Sequence, residues 1–476
     1  MTALNTFYID GQWIAPHGQN KMPVTNPATE IQIGEVALGD ADDAVRAIMA
    51  ARRAFTSFSR TTRDERISYL EKVLGCYMER YEEMAQAVSL ELGAPLTFAR
   101  DAQVATGQIH LESTIEALKK YVFDEQRGDV LITREAIGVC SLITPWNWPL
   151  NQIVCKVAPA LAAGCCMVLK PSEIAPLSSR LFAEIIDAAG LPAGVFNMVN
   201  GTGPEVGAVL ASHPEVDMVS FTGSTAAGVA VAKGAADTVK RVTQELGGKS
   251  AYVVLPDADF ASVIPQAVDA CFSNSGQSCD APTRLLIPKD KYEHVAALIR
   301  DHAATIEVGD PNSPDTALGP VISRTQFDKI QALIQSGIEE GAQVICGGIG
   351  RPVGLTKGYY IKPTVFGATT PSMRIVKEEI FGPVLVVQCY DDERHAIELA
   401  NDSVYGLAAY IQSPDIAKAR KIARQLQAGS VYVNSPEWNP QAPFGGYKQS
   451  GNGREYADWG MHDYLEIKGV SGWGAL

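Results

Sequence analysis

The sequence predicts an α/β protein built from two α/β bodies with a small β element beside them. Three observations carry this. Strand-like and helical segments alternate from Val139 to Val199, which argues for a parallel sheet covered on both faces. The alternation resumes at Ala251 and runs past residue 430. Two further segments, residues 121–139 and the tail 464–470, read as strands that would form an edge. At 476 residues the chain is too long for one core and implies two or three domains.

The elements follow in order. Asp40 is a plausible N-cap, and Ala44, Ile48, Ala51, Phe55 and Phe58 recur at steps of four and three, one apolar helical face. Thr62-Arg63-Asp64-Glu65 matches a capping box, opening a helix expected to end near Gly93-Ala94-Pro95. Asp129 to Val139 is rich in strand formers, and Arg127-Gly128-Asp129 suits a hairpin turn. Then come strand 139–144, helix 150–163, strand 166–170, helix 175–189 and strand 195–199. In the second stretch, 251–255, 283–287 and 383–387 read as strands. No internal repeat or long linker interrupts them.

Composition narrows the function. Hydrophobic residues make up 46% and charged residues 20%, as in a globular protein. The net charge of −14 argues against a nucleic-acid or anionic-membrane partner. The longest nearly apolar run, 157–169, contains Pro159 and Gly164 and is too short to span a bilayer. Residues 1–11 lack the basic-then-apolar order of a secretion signal. Nine cysteines without a CxxC pair or zinc-like spacing suggest a reducing, cytoplasmic setting and no metal site.

The most informative stretch is Phe272-Ser273-Asn274-Ser275-Gly276-Gln277-Ser278-Cys279. A turn of small residues brings backbone N–H groups towards a sulfur, which suits a thiolate nucleophile whose adduct develops an oxyanion. Glu245, in Glu245-Leu246-Gly247-Gly248-Lys249, is a candidate base. Three segments follow strands where α/β folds bind ligands: Lys170-Pro171-Ser172-Glu173, the run Gly201 to Gly207, and Phe221 to Gly228. A Gly-rich turn that opens a helix offers N–H groups to a pyrophosphate. Neither run is the standard dinucleotide fingerprint, and each alone is more often an ordinary strand–helix turn. Lys170 and Glu173 could grip ribose hydroxyls, the carboxylate favouring NAD over NADP, or could be a solvated ion pair.

Together these segments resemble the aldehyde dehydrogenase superfamily, in its NAD(P)-dependent hydrolytic branch. The matching residues are Thr144-Pro145-Trp146-Asn147-Trp148-Pro149, the Lys170 segment, Phe221-Thr222-Gly223-Ser224, the Glu245 and Cys279 segments, Glu378-Glu379-Ile380-Phe381-Gly382-Pro383 and the stretch from Pro443 to Gly451. The resemblance covers essentially the whole chain. It implies a Rossmann-like dinucleotide-binding domain (1–120 and 138–249), a catalytic domain (250–448) and oligomerisation elements (121–137 and 449–476), with a homodimer or homotetramer as the assembly.

By resemblance, Cys279 attacks the aldehyde carbon, and the Asn147 amide with the Cys279 N–H holds the oxyanion, each donor contributing about 3–4 kcal/mol. The site must lower the thiol's pKa or take its proton on attack. Hydride leaves to the nicotinamide, and Glu245 activates the water that hydrolyses the thioester. Lys170 completes the catalytic set at a ribose. Thr144, Trp146, Ser172, Glu173, Gly203, Gly223, Ser224, Gly228, Leu246, Glu379 and Phe381 fall to the cofactor, with Glu379 at the nicotinamide-side ribose and Phe381 near the ring. Trp148, Gln152, Trp438 and Phe444 line the substrate channel, with Asn151, Cys155 and Glu437 nearby. An aromatic wall suits a medium-sized apolar or aryl aldehyde. Asp280 would oppose thiolate formation if it faced the sulfur; its role is unassigned. The histidines fall in no motif. Two competing readings are a CoA-acylating dehydrogenase, which would not need Glu245, and a non-enzymatic protein on the same scaffold, which would not need Cys279 and Asn147.

Overall fold

The computed structural model describes residues 2–474. Strand and helix alternate as expected, and the strands collect into two large sheets. The first is eight-stranded, in the order Gly451–Asn452, Arg241–Glu245, Met218–Thr222, Val139–Ile143, Cys166–Lys170, Phe196–Met198, Phe7–Ile9 and Gln12–Ile14. Its five central strands are parallel, and every residue of the 139–143, 166–170 and 218–222 strands is buried. Apolar helices on both faces allow this. The chain enters at Val139–Ile143 and winds outward through 166–170 to 196–198. It then returns to place Met218–Thr222 on the other side of the first strand. The point where the winding reverses leaves a crevice beyond the strands' carboxyl ends.

The second sheet has seven strands, in the order Gln343–Cys346, Thr364–Gly367, Val384–Tyr390, Arg284–Pro288, Ala251–Val254, Ala408–Gln412 and Ser430–Val433. All pair in parallel except the outermost, Gln343–Cys346. The turns that lead into three of its strands carry the Glu245–Lys249, Cys279 and Glu379–Phe381 segments. The amino-terminal edge of this sheet therefore meets the crevice of the first.

Local signals explain much of the helical boundary pattern. Asp40 caps Ala41–Phe58 through a capping box with the buried Asp43, and Thr62 with Glu65 caps Arg63–Glu79. The helix expected to continue to Gly93 breaks instead at Arg80, whose backbone leaves helical geometry; a second helix, Tyr81–Leu92, ends on left-handed Gly93. Arg80 pairs there with Glu83 and Glu184. The Glu184 contact comes from tertiary structure, and no glycine or proline marks the break.

Gly128 turns the expected hairpin at a φ of 63°. Its strands Asp124–Arg127 and Val130–Ala136 pair with each other, and Val130–Ala136 pairs on its other side with the terminal strand Leu465–Ser471. The expected boundary at 449 shifts, however. Gly451 and Asn452 pair with Glu245 and Gln244, and Met461, Tyr464 and Leu465 pack in the core of the first body. Only the strand beyond Tyr464 belongs to the small sheet. The reason is apolar: helix Ala457–His462 buries Met461 against the helices Pro149–Ala163 and Ala105–Lys120.

Candidate active site

The nucleophile turn is held in strained backbone. Asn274, Ser275 and Gly276 lie at φ of 54°, 55° and 73°, a left-handed run that L-residues disfavour. A Cβ on Gly276 would fall 2.0 Å from the Gly382 carbonyl oxygen, so only glycine passes there. Buried amides keep the turn in place. Asn274 donates to the Asn147 carbonyl at 2.9 Å, Gln103 donates to the same oxygen at 3.0 Å, and Ser275 donates to the Gly319 carbonyl at 2.8 Å. The Gln277 side chain accepts from the Ile322 N–H. The turn thus joins both bodies of the protein.

Around the sulfur lies a cleft lined by Trp146, Asn147, Thr222, Gly223, Ser224, Glu245, Leu246, Cys279, Glu379 and Phe381 among others. Nine of the residues singled out from sequence meet here. Asn147 is buried, and its Nδ2 donates to the Gln277 carbonyl at 2.9 Å. Phe381 meets Trp146 edge-on at 5.4 Å. Glu379 accepts from the Gly248 N–H at 2.9 Å, which ties the Glu245–Lys249 segment to the second body.

Electrostatics set the protonation state. Burial pushes the Cys279 thiol well above its ordinary value, and the charges of Asp280, Glu379 and Glu245 add to this. Glu245 is also pushed well above the usual carboxylate range, first by burial and then by Glu455. Neither of its carboxylate oxygens has a hydrogen-bond partner. A buried carboxyl with a high proton affinity, lining the same cleft as a thiol, is disposed to move protons. Of the two routes open to the thiol, the geometry favours giving up its proton on attack over standing as a thiolate.

The expected ribose grip lies one strand over. Lys170, buried at the end of its strand, donates to Glu173 at 3.1 Å and to the Pro171 carbonyl; Ser172 is half-buried within the turn between them. Thr144 reaches the Lys170 carbonyl through its backbone, and its buried hydroxyl has no partner; nor has that of Thr222. Ser224 caps helix Thr225–Ala235, whose Gly228 lies so close to Leu246 that a Cβ would fall 2.5 Å from its side chain. Gly203 opens the short segment 203–207, whose last residue, Gly207, lies next to the aliphatic part of Lys170. Lys170, Ser172, Glu173, Gly203, Gly228 and Thr144 do not line the cleft itself, although they stand along the same sheet edge. Partnerless hydroxyls, an ion pair and a helix N-terminus at the reversal of the winding form a donor set that fits a dinucleotide.

On the other side of the sulfur, Cys155, Leu407, Phe444 and Tyr456 pack against Cys279. Phe444 stacks on Tyr456 at 5.1 Å, and Trp438, still 37% exposed, meets Tyr456 at 5.8 Å. Trp148 donates to Ser278 Oγ at 2.8 Å and lies edge-on to Phe98. Gln152 is buried, and its side-chain amide oxygen has no partner among the described residues.

Several residues of the site carry no sequence signal. Lys156 and Glu455, buried and 299 positions apart, form an ion pair behind Glu245. The one hint was a lysine inside an otherwise apolar helix. His110, buried between Tyr456 and Trp438, is driven down to about 3 by burial; no motif contains it. Gln103 and Asn274 act only through contacts made on folding. A solvent-facing group, His17 with Asp40 and Asp42, brings three ligating side chains together, but Asp40 is engaged there in capping its helix.

Comparison with known proteins adds identity to geometry. A sequence profile of the aldehyde dehydrogenase family matches residues 13–470. The chain is 52% identical over 468 residues, 98% of each chain, to 3-succinoylsemialdehyde-pyridine dehydrogenase of a Pseudomonas species. The fold superposes with a TM-score of 0.98, at 52% identity and covering 99% and 97% of the two chains, on a variant of aldehyde dehydrogenase C from Pseudomonas syringae in complex with NAD+ and octanal. It also matches betaine aldehyde dehydrogenase from Staphylococcus aureus in complex with NAD+, with a TM-score of 0.95 at 38% identity, covering 99% and 98%.

Proposed function

The chain belongs to the aldehyde dehydrogenase family, and from that premise we propose how its own residues oxidise an aldehyde to the carboxylic acid with NAD. The observation that supports the assignment is the one cleft in which Cys279, Asn147 and Glu245 meet Pro145, Trp146, the segment 222–224, Glu379 and Phe381. Similar proteins solved with NAD+ support the choice of cofactor.

Cys279 Sγ bonds to the aldehyde carbon as its proton passes to Glu245, the cleft-lining carboxyl without a partner. The oxygen of the adduct takes the charge and is held by Asn147 Nδ2, which releases the Gln277 carbonyl to do so, and by the Cys279 N–H. Bound NAD supplies the acceptor for the hydride that leaves the adduct carbon. A thioester remains on Cys279. Glu245, once it has passed the thiol's proton to solvent, removes a proton from water as the water attacks the thioester carbon; the sulfur leaves as a thiolate and takes that proton from Glu245 as the acid is released. The Lys156–Glu455 ion pair behind Glu245 keeps charge in balance around it.

Lys170 and Glu173 would hold the adenosine ribose, and Glu379 the other ribose. A carboxylate at Glu173 disfavours a 2′-phosphate. Helix Thr225–Ala235, which Ser224 caps directly after Gly223, would face the pyrophosphate. Trp148, Phe444, Trp438 and Tyr456 form the walls against the aldehyde's carbon chain. The Glu245 carboxyl beside the thiol supports water, rather than CoA, as acyl acceptor.

The three-stranded sheet leaves the strands 124–127 and 465–471 each unpaired on one side, and Ile467 is 71% exposed. An apolar, open strand is the surface through which copies of this chain would associate. All nine cysteines are free, which suits a reducing cytoplasm. Among the described residues no helix is long and apolar enough to cross a membrane.

The test is Cys279→Ala. Oxidation of aldehyde should fall by at least about a thousandfold, as for other lost nucleophiles, while NAD binding persists. NADH formation at a rate near that of the native enzyme would refute the assignment.

A further inference from the structure

Helix Pro176–Ala188 opens without a cap of its own. Its N-cap position is Ala175, whose side chain can accept nothing, and Pro176 at the first position has no N–H. The N–H groups of Leu177 and Ser178 are therefore the first donors that need partners. A distant residue supplies them. Glu91, fully buried near the end of helix Tyr81–Leu92, accepts from the Leu177 N–H at 2.6 Å and from the Ser178 N–H at 3.0 Å. The Ser178 hydroxyl is its third donor. An ionised carboxylate only accepts, so these three bonds suit it without a cation. Its own helix stops at once: Gly93 turns left-handed at a φ of 82°, where a Cβ on Gly319 would fall 1.8 Å from the Gly93 carbonyl oxygen. The carboxylate is thus presented from a fixed corner at which the two bodies touch.

The helix that Glu91 caps follows the turn that carries Glu173. At the other end of this turn Lys170 is fixed in its sheet, and its carbonyl accepts from the Thr144 N–H at 3.1 Å. Between these ends the turn holds itself through the Ala175 N–H, which donates to the Ser172 carbonyl at 3.3 Å, and through Lys170 Nζ, which reaches the Pro171 carbonyl and Glu173. A turn with so few bonds of its own takes its shape from where the strand ends and the helix begins. We infer that Glu91 is a positioning residue for the cofactor: by fixing the start of helix Pro176–Ala188 it sets where Glu173 stands, and so how well the adenosine ribose is held. This rests on the assignment of Lys170 and Glu173 to that ribose. Glu91 is closed off from solvent and acts through the turn. A turn already in its binding shape loses little freedom when the ribose arrives, whereas a frayed helix start must be ordered at that moment. Loss of the Glu91 carboxylate weakens the grip on the adenosine half of the cofactor and leaves Cys279, Asn147 and Glu245 as they were.

The probe is 5′-AMP, which carries the adenosine ribose and no nicotinamide. Its inhibition constant against NAD is measured on the full-length enzyme at pH 8.5, above the value of about 7 to which burial raises the Glu91 carboxyl. Glu91→Gln keeps the shape but turns an amide donor towards N–H donors. It should raise the 5′-AMP inhibition constant and the KM for NAD together, by about fivefold, the effect of one lost helix cap. The KM for aldehyde should stay the same, and kcat at saturating NAD should not fall. Ser178→Ala, which removes one of the three donors and leaves the helix intact, should act in the same direction and more weakly; it decides the matter if Glu91→Gln does not fold. Glu173→Ala serves as the reference. A 5′-AMP constant that rises in Glu173→Ala but not in Glu91→Gln or Ser178→Ala would overturn the inference and leave the ribose assignment standing. So would a Glu91→Gln enzyme that loses kcat and aldehyde affinity as much as 5′-AMP affinity, the mark of general damage. A constant unmoved even in Glu173→Ala would overturn the ribose assignment and the inference with it.

Discussion

The Cys279 sulfur sits where burial and three carboxylates all favour the protonated thiol. Without substrate the residue should therefore react slowly at neutral pH. Alkylation by iodoacetamide should accelerate as pH rises past the ordinary thiol value of 9.0. A rate already at its plateau below pH 8 would mean a standing thiolate and would contradict the proton-transfer step. At this scale the legible residues were those embedded in contiguous motifs: Cys279, Glu245, Asn147, Glu379 and Phe381. Their chemistry depends on a local turn, and the turn is written in the neighbouring residues. Lys156, Glu455 and His110 were not legible. Their roles exist only because helices far apart in the chain meet, and an isolated lysine, glutamate or histidine carries no local mark of that.

Single elements show the same division. The caps at Asp40 and Thr62 and the turn at Gly128 were readable because each is satisfied within a few residues. The break at Arg80 was not, because its partner Glu184 lies on another helix. A further contact of that kind fixes helix Pro176–Ala188, which follows the Lys170–Glu173 turn. Buried Glu91 accepts from the Leu177 and Ser178 N–H groups and the Ser178 hydroxyl. Burial outweighs these bonds and raises its pKa from 4.5 to about 7. An acid whose pKa rises on folding contributes stability that is complete below its unfolded value and is lost as pH climbs through the folded one. Stability from this group should therefore decline between about pH 4.5 and 7. Glu91→Gln, which cannot ionise, should flatten that part of a urea-midpoint profile. An identical slope in the variant would show that Glu91 does not titrate there.

For the whole molecule, the alternation of strands and helices predicted both α/β bodies and the separate β element. It did not predict how they face one another. That placement, the carboxyl edge of one sheet against the amino edge of the next, brings Asn147 and Ser224 to Cys279 and Glu379. The division at 448 also failed as a structural boundary, because Met461 and Tyr464 belong to the first core. Beyond them the terminal strand is largely exposed along one side. Ile467→Asp should shift the enzyme to a smaller species in light scattering, with the fold retained by circular dichroism. An unchanged mass would place the assembly surface elsewhere.

The central claim is that an acyl group passes through Cys279 and is released by Glu245. It is tested most directly by mass spectrometry of Glu245→Gln, quenched shortly after mixing with NAD and excess aldehyde. NADH should form more slowly than in the native enzyme and stop near one equivalent, and the Cys279 peptide should gain the mass of the acyl group. Turnover at the native rate with no adduct on that peptide, or an adduct on another cysteine, would contradict it.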